Sequence, residues 1–178
     1  MAQMPATPKD VLELAMKREK EGHEFYLKSA AGTSNAKGRH MFEWLAGEEA
    51  KHYQKLEKEL QALASTGQWR PPGARSTDKA SEPIKRTEFP PLSEVAGDIQ
   101  PNAGELDALH TGIAAEKQAV ELYRHAAENA LDASVKDMFL KLAQEEQGHL
   151  DLLESEHEWL AQSGTYFTLH RFSLRGPG

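Results

Sequence analysis

The feature that most constrains this chain is an internal repeat, in which residues 12–70 align without a gap on residues 109–167, a shift of 97 positions. Twenty of the 59 aligned pairs are identical, including Glu19 with Glu116. Shared helical composition produces some matches by chance, but not a third of them in one ungapped register. We interpret the repeat as a duplicated helical hairpin. Two copies are too few for a solenoid, so each should bury its apolar face against the other, which predicts an all-α four-helix bundle.

The positions of proline divide the chain into the same two blocks. Six of the nine prolines lie between Pro71 and Pro101, whereas residues 9–70 and 102–176 contain none. Because proline interrupts helices, each proline-free block can hold two long helices. The first predicted helix covers about 9–31 and ends at the Gly32–Asn35 break. The second runs from that break to about 65, with Gly67 as its cap. The third and fourth cover about 105–129 and about 133–162. We expect a single domain over 1–178, with hairpin repeat 1 at about 9–66, a Pro-rich connection at about 67–104, hairpin repeat 2 at about 105–164 and a C-terminal arm at 165–178.

The length of the connection predicts how the two hairpins are joined. A helix of about 27 residues is roughly 40 Å long, and about 38 irregular residues can cross that distance easily. We therefore expect a long crossover that makes the third helix parallel to the second. A short helical turn near residues 93–96 is expected within it.

Composition and charge exclude several classes of function. The chain has no cysteine, which excludes disulfides, zinc ribbons, Cys-ligated clusters and thiol nucleophiles. The net charge of −7 argues against nucleic acid and anionic membranes as main partners, and no apolar run is long enough to span a bilayer. The first ten residues carry two prolines and no apolar stretch, so no signal peptide is expected and the expected location is cytoplasmic.

Charged residues occupy positions where the helical pattern requires apolar ones. Each helix carries an apolar stripe of residues spaced by three and four. Four glutamates and two histidines fall within these stripes: Glu19, Glu49, His52, Glu116, Glu146 and His149. An unpaired carboxylate in an apolar core costs on the order of several kcal/mol, and four together would repel one another. We therefore expect a cationic partner inside the bundle, the alternative being a buried polar network without metal.

The spacing of these residues predicts that they meet at one level. Glu19 and Glu49 are 30 residues apart with their midpoint in the first turn, and Glu116 and Glu146 repeat that spacing around the second turn. Residues equidistant from the turn of an antiparallel hairpin lie side by side. Four carboxylates balance two divalent cations, and two imidazoles supply one nitrogen ligand to each, a pattern described for di-iron and di-manganese bundles. Iron or manganese suits such a site, and zinc would also bind.

The residues around these positions resemble the rubrerythrin branch of the ferritin-like superfamily. The matching phrases are Glu19-x-x-Gly22-His23-Glu24-Phe25-Tyr26, Phe42 to Glu49 with His52, Glu116-x-x-Ala119-x-x-Leu122-Tyr123, and Phe139-x-x-Leu142-Ala143-x-Glu145-Glu146-x-x-His149. The resemblance covers about residues 10–165 and implies a ferritin-like bundle with two iron ions as cofactor. It implies the ligands Glu19, Glu49, His52, Glu116, Glu146 and His149, with Tyr26 and Tyr123 as hydrogen-bonding groups nearby; ordinary core packing is the alternative for the two tyrosines. His23, Glu48 and Glu145 are expected at the rim, in solvent or in outer hydrogen bonds.

Two features depart from the pattern of that family. Rubrerythrins carry a C-terminal rubredoxin domain with Cys-bound iron, and this chain has no cysteine, so electrons are expected from an external donor protein. Rubrerythrins also place an extra glutamate one turn after the third-helix ligand, where this chain has Ala119. That leaves the more symmetric six-ligand set of some other ferritin-like proteins.

The resemblance implies a non-haem di-iron oxidoreductase that reduces peroxide or O₂. Two alternatives stay open: a ferritin-like iron-binding protein, acting as a ferroxidase or in storage, and a structural metal-binding protein without turnover. We expect a homodimer. Exchange of hairpins between two chains would leave the same site.

Overall fold

The computed structural model describes residues 7–66, 104–130 and 132–166, which form four helices. The helices are α1 (Pro8–Gly32), α2 (Ala36–Thr66), α3 (Glu105–Asn129) and α4 (Ala133–Ser163). Their observed ends lie within one residue of the predicted ends. The prediction of an all-α four-helix bundle is confirmed. None of the helices in these ranges is long and apolar enough to span a membrane.

Local sequence determines where the helices begin and end. Before α1, Thr7 accepts a hydrogen bond from the N–H of Asp10 (3.2 Å), and the Asp10 carboxylate accepts one from the N–H of Thr7 (2.7 Å). Asp132 caps α4 by accepting from the N–H of Ser134 at 2.9 Å. Gly164 ends α4 with φ 70°, a left-handed conformation that glycine adopts without strain.

Contacts between the hairpins establish the direction of each helix. α1 packs along α2 and α3 packs along α4, and each pair is antiparallel because a short turn joins it. Tyr26 on α1 contacts Glu116 on α3, and Tyr123 contacts Glu19, so α1 and α3 run in opposite directions. α3 is therefore parallel to α2, as the crossover prediction requires. This arrangement is consistent with the ferritin-like fold.

Some predictions concern residues outside the described ranges. They are the Gly67 cap, the connection up to residue 103 with its turn at 93–96, and the arm from residue 167 onward. Tyr166, at the base of that arm, is described and buried. A methyl group added at Gly38 would lie 2.5 Å from its ring, so the glycine makes room for the tyrosine. The assignment of the whole chain to one domain stays a prediction.

The core consists of two apolar clusters at different heights in the bundle. One contains Tyr26, Phe42 and Leu153, and the other contains Tyr123 and Phe139. Phe42 stacks on Tyr26 with ring centroids 6.2 Å apart, and Phe139 stacks on Tyr123 at 6.0 Å. Each tyrosine belongs to an apolar cluster through its ring and extends its hydroxyl to a buried glutamate. Packed aromatic rings therefore adjoin the buried glutamates Glu19 and Glu116.

Truncation of Leu153 should test this packing. Leu153 is fully buried, so Leu153→Ala should lower the free energy of unfolding by about 2–5 kcal/mol through lost burial and the cavity left behind. Urea unfolding followed by circular dichroism measures the change. The control is Leu140→Ala on the same helix, where the side chain is 45% exposed and the expected change is below about 0.5 kcal/mol. Equal effects at the two positions would contradict the burial of Leu153 in the core.

Candidate metal centre

The six polar residues predicted on the apolar stripes are all buried in the interior of the bundle. α1 supplies Glu19, α2 supplies Glu49 and His52, α3 supplies Glu116, and α4 supplies Glu146 and His149. None of the six is more than 5% exposed. Because all four helices contribute, the cluster exists only when both hairpins are packed together.

The ligand-type atoms of these residues form two overlapping groups. One group is Glu19, Glu49, His52 and Glu146, and the other is Glu49, Glu116, Glu146 and His149. Within each group, one ligand atom from every member lies within 4.8 Å of the others. Glu49 and Glu146 belong to both groups, which is where carboxylates shared by two ions would be placed. The cluster therefore fits a di-metal site.

Both histidines direct the same ring nitrogen toward the carboxylates. Nδ1 of His52 lies 2.7 Å from Glu146 Oε1 and 3.4 Å from Glu19 Oε2. Nδ1 of His149 lies 2.9 Å from Glu146 Oε2 and 3.5 Å from Glu49 Oε1. The two imidazoles stack with centroids 5.5 Å apart. One nitrogen donor is thus available to each group.

Several buried atoms of the cluster lack a well-aligned hydrogen bond with any described residue. They are Glu19 Oε2, Glu49 Oε1, His52 Nδ1 and Glu146 Oε1. The short distance between His52 and Glu146 does not meet the angular requirement of a hydrogen bond. Unpaired buried polar atoms are rare in proteins because each carries a desolvation penalty. Divalent cations among these oxygens and nitrogens would satisfy them, so the donor set fits bound metal.

Without a cation, the carboxylates oppose their own ionisation. Burial raises the pKa of Glu49 and Glu116 well above its ordinary value, and the negative charge of Glu146 raises both further. Burial also raises the pKa of Glu19, and its contact with His52, 3.4 Å away, partly offsets that rise. The folded, metal-free protein therefore retains protons that these groups lose in water.

Glu146 and His52 respond in the opposite sense. Burial alone would raise the pKa of Glu146, but its hydrogen bond with His149 and its close contact with His52 overcome that effect and hold it below its usual range. Burial would lower the pKa of His52, but its contacts with Glu146 and Glu19 raise it to about 10. In the metal-free protein, His52 thus supplies positive charge that bound cations would otherwise provide.

The two tyrosines connect the hairpins crosswise. The hydroxyl of Tyr26 on the first hairpin donates to Glu116 on the second, and the hydroxyl of Tyr123 donates to Glu19 on the first. Burial and the neighbouring glutamates raise the pKa of both tyrosines well above the usual value, so both hydroxyls stay protonated. Each hydrogen bond occupies one carboxylate oxygen and leaves the other to face the centre of the cluster.

A small cavity borders the cluster between α1 and α3. Its volume is about 30 Å³, and its lining residues include Glu19, Glu49 and Glu116 together with Arg18 and Ala119. Roughly 10–15 Å³ suffices for one water molecule, so the cavity holds two oxygen-sized atoms with room to spare. The site therefore has an adjoining space for a small molecule.

The residues around the cluster were predicted only in part. Glu145 lies where an outer hydrogen-bonding carboxylate was expected, 2.9 Å from His52, and its second contact, with Lys55 at 2.6 Å, was not predicted. His23, expected at the rim, is partly buried with Nδ1 2.7 Å from the carbonyl oxygen of Ala46. Lys55 and Arg18 were not singled out, although position-by-position comparison of the repeats would have found them as differences beside identical residues.

Comparisons with known proteins agree with the fold. A model of the family described as Rubrerythrin matches residues 10–157. No curated protein sequence matches the chain. Among solved structures, a hypothetical protein from Pyrococcus furiosus is similar, with a TM-score of 0.65 and 24% sequence identity over 90% of this chain and 94% of the other. At that identity the likeness supports the fold alone.

The raised pKa values predict that the metal-free protein loses stability as the pH rises above 4.5, the ordinary pKa of a glutamate. Over this range the folded state keeps carboxyl protons that the unfolded chain has released, so rising pH favours unfolding. His52 acts in the same direction. The stability that its raised pKa gives to the folded state is complete below pH 6.5 and is lost as the pH approaches about 10. The lowered pKa of Glu146 stabilises the folded state above pH 4.5, and this contribution does not change as the pH rises further. A difference of one bound proton between the folded and unfolded states lowers the free energy of unfolding by about 1.4 kcal/mol per pH unit. The melting temperature of chelator-treated protein should therefore fall by about 3–6 °C per pH unit.

The matched control for this prediction is Glu116→Gln. The amide removes one carboxyl group whose ionisation opposes folding. The metal-free variant should therefore melt above the metal-free native chain at about pH 8, with a smaller dependence on pH. A melting temperature of the native metal-free protein that rises with pH over the same window would contradict this account of the buried carboxylates.

Proposed function

Since the chain belongs to the rubrerythrin family, we propose that it is a non-haem di-iron oxidoreductase that reduces hydrogen peroxide or O₂ with electrons from an external donor protein. The observation that carries the proposal is the pair of overlapping buried Glu/His groups with shared carboxylates. Four carboxylates at one level are hard to explain by packing or by hydrogen bonding alone, because they destabilise the bundle unless cations join them.

The proposal assigns a place to each of the six side chains. Glu19 and His52 would hold one ion, Glu116 and His149 would hold the other, and both ions would share the remaining glutamates, Glu49 and Glu146. Two ferrous ions would supply two electrons which, with two protons, convert hydrogen peroxide to two molecules of water. The oxygen-rich donor set favours iron or manganese over softer metals.

The tyrosines and the aromatic rings prepare this site. Tyr26 and Tyr123 orient the carboxylates of Glu116 and Glu19 before any ion arrives, because their hydroxyls hold one oxygen of each. Preorganised ligands lose less freedom on binding. Phe42 and Phe139 stack on the tyrosines and keep water from the apolar flanks of the cluster.

The cavity supports a two-oxygen molecule as substrate. Its volume of about 30 Å³ admits O₂ or peroxide. Gly22 and Ala119 line it with little side-chain bulk, and a methyl group at Gly22 would lie 3.1 Å from Glu49 Oε2. Arg18 also lines the cavity and places positive charge beside the cluster. That charge would stabilise the anion that forms when peroxide loses a proton.

The electron donor is proposed to be a separate protein. The 178 residues contain no cysteine, so they hold none of the Cys-ligated iron centres that commonly deliver single electrons. Repeated turnover would then need an external reductant to restore the ferrous state.

Reaction of the iron-loaded protein with peroxide tests the proposal. After anaerobic loading with two ferrous ions per chain, we expect one hydrogen peroxide to be consumed for every two ferrous ions, with near-ultraviolet absorption of protein-bound ferric iron. Because Glu49 would be shared by both ions, Glu49→Gln should react at least about tenfold more slowly. Stopped-flow absorbance measures both rates.

The control variant is Glu43→Gln, an exposed position on the same helix, which should react like the native chain. Identical behaviour of the native chain and Glu49→Gln would contradict the proposal. Uptake of many irons per chain by a large hollow multimer would favour iron storage instead. Tightly held zinc with no reaction would favour a structural metal site.

A larger side chain in the cavity should separate substrate access from metal binding. Ala119→Leu fills the space beside the cluster without changing a proposed ligand. We expect two metal ions per chain to remain bound and the rate of reaction with peroxide to fall by about tenfold or more. The control is Ala161→Leu at an exposed position of α4. An unchanged rate in Ala119→Leu would show that the substrate reaches the site by another route.

A further inference from the structure

The two buried histidines occupy equivalent positions in the two repeats, but the ring nitrogens that face away from the cluster have different neighbours. Nε2 of His52, the ring nitrogen that faces away from the cluster, lies 2.9 Å from Glu145 Oε2. The same oxygen accepts a hydrogen bond from Lys55 Nζ at 2.6 Å. A connected chain of lysine, glutamate and histidine therefore runs from exposed side chains on α2 and α4 to a buried nitrogen.

No such chain reaches the second histidine among residues 7–66, 104–130 and 132–166. Glu48 is the repeat counterpart of Glu145, but it pairs with Lys51 on its own helix at 2.6 Å. No carboxylate in the described ranges lies within ion-pair distance of Nε2 of His149. The edge of Trp44 packs against that imidazole instead, at a centroid distance of 5.5 Å.

The sequence explains the difference at two pairs of positions. The repeat counterpart of Lys55 is Leu152, which is buried, so no lysine holds Glu48 across the helix interface. The counterpart of Lys51 is Gly148, so no neighbour on α4 draws Glu145 away from His52. Both differences favour a chain of lysine, glutamate and histidine at His52 and disfavour one at His149.

From this geometry we infer that the two metal positions are inequivalent, and that Glu145, anchored by Lys55, is a positioning residue that makes the His52 position the tighter one. This inference rests on the proposed di-metal function and adds an order of binding to it. A histidine that donates from Nε2 to a carboxylate presents its Nδ1 lone pair to the metal in a fixed orientation and as a stronger base. His149 lacks that support, so its position holds the more exchangeable ion.

The test is a titration of the metal-free full chain with Mn²⁺, followed by the electron paramagnetic resonance signal of the free ion. The native chain should take up two ions per chain in a tight and a weaker step. Glu145→Ala should weaken the tight step about tenfold to a hundredfold, the range seen when such outer partners of metal ligands are lost. Glu145→Gln, which keeps a neutral acceptor, should give a smaller shift in the same direction.

Glu48→Ala is the matched control, because it changes the repeat counterpart at the same distance along the helix. Its two steps should be those of the native chain. Lys55→Met should weaken the tight step modestly, whereas Lys51→Met should change neither step. The altered side chains are exposed or half-buried and alanine favours helix, so circular dichroism should show native helical content in each variant.

Equal affinities of the two steps in the native chain would overturn the inference, as would equal shifts in Glu145→Ala and Glu48→Ala. In both cases the di-metal function would survive, since two ions would still bind. Uptake of no ion, or of one ion per chain, would overturn the inference and the proposed function together.

Discussion

The structure depends on one electrostatic constraint, which is that four carboxylates lie at one level inside a bundle of apolar side chains. Burial and mutual repulsion raise the pKa of Glu49 and Glu116, and the hydrogen bond from Tyr26 offsets this only in part for Glu116. A bundle of this kind is stabilised by the packing of its two apolar clusters while its centre opposes folding. The centre stops opposing folding when cations neutralise it, so metal binding and folding are thermodynamically linked.

The crosswise tyrosines show how the same residues serve packing and chemistry. Tyr26 and Tyr123 contribute rings to the apolar clusters and hydroxyls to glutamates on the opposite hairpin. Each hydrogen bond therefore joins the two hairpins and orients a carboxylate at the same time. A phenylalanine could replace the ring but would leave a buried carboxylate oxygen without its donor, which makes these positions sensitive to a change of one atom.

Much of the fold and the composition of the candidate site could be predicted from the sequence. The repeat, the proline-free blocks and the spacing of Glu19 and Glu49 predicted four helices and a level at which six polar residues meet, and the structure confirms the bundle. The crosswise partners of the tyrosines could not be predicted, since periodicity gives the face of a helix and not the helix opposite. The bridge from Lys55 to Glu145 depends on rotamers of exposed side chains, which sequence spacing does not determine.

The differences between the repeats lie where charge balance leaves the sequence free to vary. Replacement of any of the six buried residues would change the net charge or the donor set of the cluster, so both halves retain them. Positions that surround the cluster without belonging to it carry no such restriction. Among them, Lys55 aligns with Leu152 and Arg18 aligns with Ala115 in the repeat. Under the proposed function, this combination gives two ions similar ligands but different support, so that one ion can remain bound while the other exchanges.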